Sequence, residues 1–122
     1  MFTFPESVKV YMAVDAQDMR CGFDRLSARA HEITSQDPLS GHLFVFFNKP
    51  RNRVKVLFWD KSGYCLYYKR LEQGTFHSPQ YVSSDTRVLQ IAVSDFALIL
   101  EGIQLYGAVR RKRYALTREQ EA

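Results

Sequence analysis

The sequence predicts an α+β domain: a mainly antiparallel sheet of about five strands built around a β-meander, with one helix packed across a face and a short helix near the C-terminus. Three observations lead there. Residues 43–70 hold three apolar or aromatic runs separated by short turn-forming segments, the pattern of consecutive hairpins. Residues 19–33 carry apolar side chains at helical spacing instead. The chain has 122 residues and 46% hydrophobic content, enough for one core and too little for two.

Residues 8–14, rich in β-branched and aromatic types, read as the first strand, and residues 15–18 as a turn. Asp18 is a candidate N-cap for a helix running from about Met19 or Gly22 to Ile33, with Phe23, Leu26, Ala30 and Ile33 on its apolar face. Pro38 ends that stretch, because proline restricts the preceding residue and donates no hydrogen bond. Strands follow at 43–47, 53–59 and 64–69, joined by a loop at 48–52 and a tight turn at 60–63. Thr75, Phe76 and His77 suggest a short further strand, and residues 87–93 one that rejoins the sheet. Ser94 or Asp95 would cap a final helix from Phe96 to about Gly102. A single domain is expected over 1–107, followed by a basic tail at 108–122 that Tyr106, Val109 and Tyr114 could dock.

The net charge of +4 is unevenly distributed. Between Lys49 and Arg70 there are seven basic residues (Lys49, Arg51, Arg53, Lys55, Lys61, Lys69, Arg70) against one acid, Asp60. A second cluster is Arg110, Arg111, Lys112 and Arg113. Alternation along residues 53–59 puts Arg53, Lys55, Leu57 and Trp59 on one face, with Val54, Val56 and Phe58 on the core side. The next strand adds Tyr67 and Lys69, or Tyr68 and Arg70, according to register. Cations interleaved with aromatics suit a nucleic-acid-binding sheet, since the former contact phosphates and the latter stack on bases. A solvated face shielded by long basic side chains would read the same way. Arg20 sits where a helix start favours an anion, and equally where Asp15, Asp18 or Asp24 could pair with it.

Signals for other chemistry are weak. Asp15, Asp18 and Asp24 resemble the paired carboxylates of a two-metal nuclease only in their closeness, and nothing downstream completes the set. His31, His42 and His77 are isolated, Cys21 and Cys65 lack zinc-ligand spacing and read as free thiols, and no phosphate-binding glycine motif occurs. Neither a metal nor a cofactor is expected. No apolar run approaches the length of a membrane span and the N-terminus has no signal-peptide pattern, so a cytoplasmic location is expected.

Residues 18–26, 37–46, 53–60 with Gly63, 68–76 and 98–103 resemble, in order and spacing, the TnpB accessory proteins of the insertion-sequence-sixty-six family of bacterial transposable elements. The resemblance extends over roughly residues 5–107. It implies a non-enzymatic accessory factor of DNA transposition, working beside a separate transposase and binding DNA at the element's ends, the transposase, or both. The alternative it leaves open is a pure protein-interaction module without direct DNA contact. It brings no catalytic set. Cys21 stands where the family commonly has lysine, which exchanges a phosphate contact for a neutral thiol.

Overall fold

The computed structural model describes residues 4–77 and 85–102. Its elements are β1 (Val10–Ala13), α1 (Phe23–Thr34), β2 (Leu43–Phe47), β3 (Arg53–Trp59), β4 (Tyr64–Arg70), β5 (Val88–Ile91) and α2 (Val93–Leu100), with a 3-10 turn at Pro38–Ser40. They form a five-stranded sheet in the order β4-β3-β2-β1-β5. The expected meander is β2-β3-β4, and β5 rejoins the sheet antiparallel to β1. β1 and β2 pair in parallel, with α1 as their crossover. The sheet is thus mixed and mostly antiparallel.

Both faces are covered. On one, Leu26 and Ala30 of α1 pack on Tyr11, Phe44, Phe46 and Leu57. On the other, Phe96, Ile99 and Leu100 of α2 pack on Val10, Met12, Val45, Val54 and Val56. β2 lies between them, and all five of its residues are buried. A strand enclosed on both faces loses the apolar–polar alternation of a half-solvated one. Leu57, expected on an exposed face, is accordingly fully buried.

Three local expectations are corrected. The N-cap of α1 is Gly22, without a side-chain hydrogen bond. Asp18 instead closes a turn ahead of the helix, its Oδ1 accepting the Arg20 backbone N–H at 2.8 Å. α2 begins at Val93 behind Ala92, so Asp95 lies within the first turn, where a carboxylate suits the helix dipole, and neither it nor Ser94 caps. Thr75, Phe76 and His77 form no strand. Phe76 works as a plug: its N–H donates to the Arg51 carbonyl at 2.7 Å, and its buried ring lies 5.6 Å from Phe47.

At the entry to the parallel pair, His42 Nδ1 accepts the Lys9 backbone N–H at 3.0 Å while its ring meets Tyr11 edge-on. That bond needs Nδ1 unprotonated. Burial, with a smaller contribution from the Lys9 charge, holds the imidazole below its ordinary value of 6.5.

Two outcomes are expected. Phe76→Ala should lower stability to urea by about 3–5 kcal/mol, the usual cost of emptying a buried aromatic site, and Thr75→Ala by under ~0.5 kcal/mol; similar midpoints for the two would show that the segment is not core. Because the folded-state value of His42 is depressed, its contribution is present above the unfolded value and is lost as pH falls through the folded one. His42→Asn, which keeps an acceptor near Nδ1 and does not titrate, should therefore flatten the decline in unfolding midpoint below neutral pH, and an unaltered decline would place its origin in other groups.

Candidate nucleic-acid interface

The sheet topology determines where the basic residues gather. Both strands end at the same end of the sheet, β3 starts there, and antiparallel β4 finishes there. The Gln17 N–H, donating to the Phe47 carbonyl at 2.8 Å, ties the two strand exits together. Arg20, Lys49, Arg51, Arg53 and Arg70 are thus carried by loops and strand ends at one end of the sheet. Between them is an open depression of about 420 Å³ lined by Gln17, Asp18, Met19, Asn48, Lys49 and Arg53. Asn48 shapes its floor, its Oδ1 accepting the backbone N–H groups of Asn52 and Arg53 at 3.0 Å each.

The cations differ in what they already hold. Lys55, expected on an exposed face, is only 7% exposed. Its Nζ donates to the carbonyls of Met19 at 2.7 Å and Cys21 at 2.9 Å, and lies 4.8 Å from the centre of the Tyr68 ring. An ammonium has three N–H donors, and two carbonyls and a π face occupy them. Lys55 is therefore a structural cation. So is Lys69, on the opposite face, whose Nζ donates to the Leu100 carbonyl at 2.6 Å and supplies positive charge at the C-terminus of α2.

Arg51 turns inward. Its guanidinium carbon sits 4.3 Å from the centre of the Phe47 ring, and its Nη2 is buried without a hydrogen-bond partner among the described residues. Burial lowers its affinity for a proton. Arg20 is the reverse case: its side chain is exposed and bonds Asp18 through Nε and Nη2 at 2.8–3.1 Å. Those bonds, more than any other factor, pull the Asp18 carboxyl down to about 2. The pairing with an aspartate is the arrangement found for Arg20. Arg70 pairs with Glu72 at 2.9 Å, also exposed.

Lys49 and Arg53 complete the group. Lys49 is exposed and makes no hydrogen bond among the described residues. Arg53 donates to the neutral Tyr68 hydroxyl at 2.9 Å and has no acidic partner among the described residues. The β3–β4 register pairs Lys55 with Tyr68 and Arg53 with Arg70. Tyr68 and Arg70, not Tyr67 and Lys69, therefore share the face of Arg53. Tyr68 is 47% exposed, and Phe23, at the start of α1, equally so. Sequence reasoning left Tyr68 as one of two registers; the length of the turn at residues 60–63, closed by the Asp60 N–H on the Gly63 carbonyl, selects it. Arg110, Arg111, Lys112 and Arg113, with Tyr106, Val109 and Tyr114, lie outside the described residues.

Other chemistry finds little support. Asp18 is held by Arg20, and Asp15 lies 4.0 Å from Arg29. Among the described residues no cluster of three or more His, Cys, Asp or Glu side chains could hold a metal, and no helix is long and apolar enough to cross a membrane. Cys21 and Cys65 are free thiols.

Replacing Lys55 with methionine leaves the Met19 and Cys21 carbonyls without their donor. Lys55→Met should cost about 2 kcal/mol, in the range for hydrogen bonds to a charged group, and should speed amide exchange in residues 19–22. The exposed-turn variant Lys61→Met is the control, and an equal, negligible loss in both would show that the Lys55 contacts contribute nothing.

Similarity to known proteins agrees with the motifs. Two proteins of Sinorhizobium fredii are related along most of their length. The uncharacterized protein y4hO is 37% identical over 98 residues, covering 80% of this chain and 83% of that protein. The uncharacterized protein y4jC is 30% identical over 105 residues, 86% of each. No solved structure matches the chain. The family model of the IS66 Orf2-like proteins matches residues 8–110, from the strand before the crossover to the start of the second basic cluster. The chain therefore belongs to the IS66 Orf2-like family, which gives it a role in insertion-sequence transposition.

Proposed function

We propose that the protein is a non-catalytic accessory factor of transposition that contacts the DNA of its element through the basic end of the sheet and works beside the transposase. The observation that carries the DNA contact is the Arg53–Arg70 register. Like charges placed directly opposite each other on one face of a sheet destabilise it. A polyanion lying across the pair relieves that repulsion, whereas an isolated fold gains nothing from it. Lys49 beside Arg53 at the depression, and Arg20, paired with the lining residue Asp18, extend the positive surface. Surface ion pairs such as Arg70–Glu72 and Arg20–Asp18 are worth little, so phosphates can compete for both arginines.

Such contacts position a protein on DNA without reading sequence. Recognition of the element's ends would then come from the transposase, and the described surface would supply salt-sensitive affinity.

A titration of element-end DNA over a range of salt tests this. Each phosphate contact adds about 0.9 to the slope of log affinity against log salt, so Lys49→Ala with Arg53→Ala should lower that slope by about two. An unchanged slope in the double variant would remove this surface as the DNA contact. Co-purification with the transposase after nuclease treatment, without any binding of DNA alone, would favour the protein-interaction alternative. DNA cleavage by the purified protein with Mg²⁺ would overturn its non-catalytic part.

A further inference from the structure

Tyr68 is the residue that a phosphate-binding surface alone does not explain. It stands on the edge strand β4, directly opposite Lys55 and diagonal to Arg53. Both cations hold it: Arg53 through the hydroxyl at 2.9 Å, and Lys55 through the ring at 4.8 Å from its centre. The ring is thereby clamped at its edge and on one side, yet the residue remains 47% exposed. An aromatic fixed by two cations and open to solvent is a preorganised surface, because its rotamer is already set before a ligand arrives. The ammonium against one side also draws electron density from the ring and lessens its repulsion of another π system on the outer side.

From this geometry we infer that Tyr68 is a stacking platform for an unpaired base, so that the chain engages single-stranded DNA, with Arg53 and Arg70, paired with each other to one side of the ring, holding the adjoining phosphates. The inference rests on the DNA contact proposed above and specifies the form of DNA. In a duplex the bases stack on one another inside the helix, and an exposed ring finds none of their faces. Only unpaired nucleotides present a base to Tyr68 and phosphates to its arginine neighbours together. An acidic peptide would satisfy the cations and leave the ring unused. Phe23, equally exposed and two residues beyond the carbonyl of Cys21 that anchors Lys55, offers a second apolar surface near the same lysine. Within transposition, such binding suits the frayed or displaced strands at cut element ends.

The test uses the full chain and two probes, a thymine-rich single strand and a mixed-sequence duplex of equal length, titrated by fluorescence anisotropy at low and raised salt. Pure electrostatics favours the duplex, which has the higher charge density. The expected result is the reverse: tighter binding of the single strand, with the preference growing as salt rises. Tyr68→Leu should weaken single-strand binding roughly 5- to 150-fold, the equivalent of ~1–3 kcal/mol for one stacked base, and leave duplex binding within about twofold. Tyr68→Phe keeps the ring and should retain the preference, which separates stacking from the bond to Arg53. The wild-type comparison stands even if Tyr68→Leu folds poorly. Duplex binding equal to or tighter than single-strand binding overturns the inference while leaving the DNA contact intact. Binding of neither probe removes both, and binding of an acidic peptide in their place assigns the surface to a protein.

Discussion

Lys55 joins three parts of the molecule. Its backbone belongs to β3, its ammonium closes the loop between β1 and α1 through two carbonyls, and its charge rests against a ring of β4. A buried ammonium is tolerated only when each donor finds a partner, so each of these contacts requires the other two. The loop must pass over β3 at residues 19–21 for the carbonyls to reach Nζ. That passage sets where α1 starts, and hence how Leu26 and Ala30 meet Phe44 and Leu57. The same lysine rests against the Tyr68 ring, whose hydroxyl in turn accepts from Arg53.

The second constraint is the enclosure of the sheet. Five strands with a helix on each face leave only the edges and ends of the sheet for contacts with other molecules. Two cations of the basic segment serve the fold for this reason: Lys55 under the α1 loop, and Lys69 at the end of α2. A third, Arg51, covers the Phe47 ring next to the Phe76 plug. The charge that looks like one continuous patch in sequence divides into three structural cations, an outward group of Lys49, Arg53 and Arg70 at one end of the sheet, joined by Arg20 from the other side of the crossover, and Lys61 in the turn at the opposite end.

Much of this was legible in the sequence, for identifiable reasons. The meander was readable because strand and turn residues alternate sharply between Leu43 and Arg70, and α1 because Leu26 and Ala30 keep helical spacing. The fate of Lys55 was not readable. Alternation assigns a residue to a face, and only the partner of that face decides whether it is solvated. One sign of the second layer was present in the unbroken apolar run of β2, which suits a strand buried on both sides better than one with a wet face. Asp18 misled for a related reason: a carboxylate ahead of a helix reads as a cap, but a neighbouring arginine two residues on offers it a stronger, charged partner. Phe76 looked like a strand residue because β-propensity is mostly a measure of fitness for burial, and the site it fills lies beside the sheet rather than in it.

The parallel pair explains how the loop between β1 and α1 joins this surface. In an all-antiparallel sheet, successive turns alternate between the two ends, and the loop that carries Asp18 and Arg20 would open at the end away from residues 48–52. The crossover through α1 returns the chain so that β2 runs alongside β1 in the same direction. The loops after both strands then open at one end, which is also where β3 begins and β4 finishes. Crevices beyond the carboxyl ends of adjacent parallel strands are common ligand sites in sheets of this kind, because loops converge there without covering one another. Here that end collects Asp18 and Arg20 from the first loop, Asn48 and Lys49 from the second, and Arg53, Tyr68 and Arg70 from the hairpin beside them. The β2-β3-β4 meander by itself brings Lys49, Arg53, Tyr68 and Arg70 to this end, and the parallel crossover sets the loop of Asp18 and Arg20 beside them, so the topology as well as the count of basic residues concentrates the charge here.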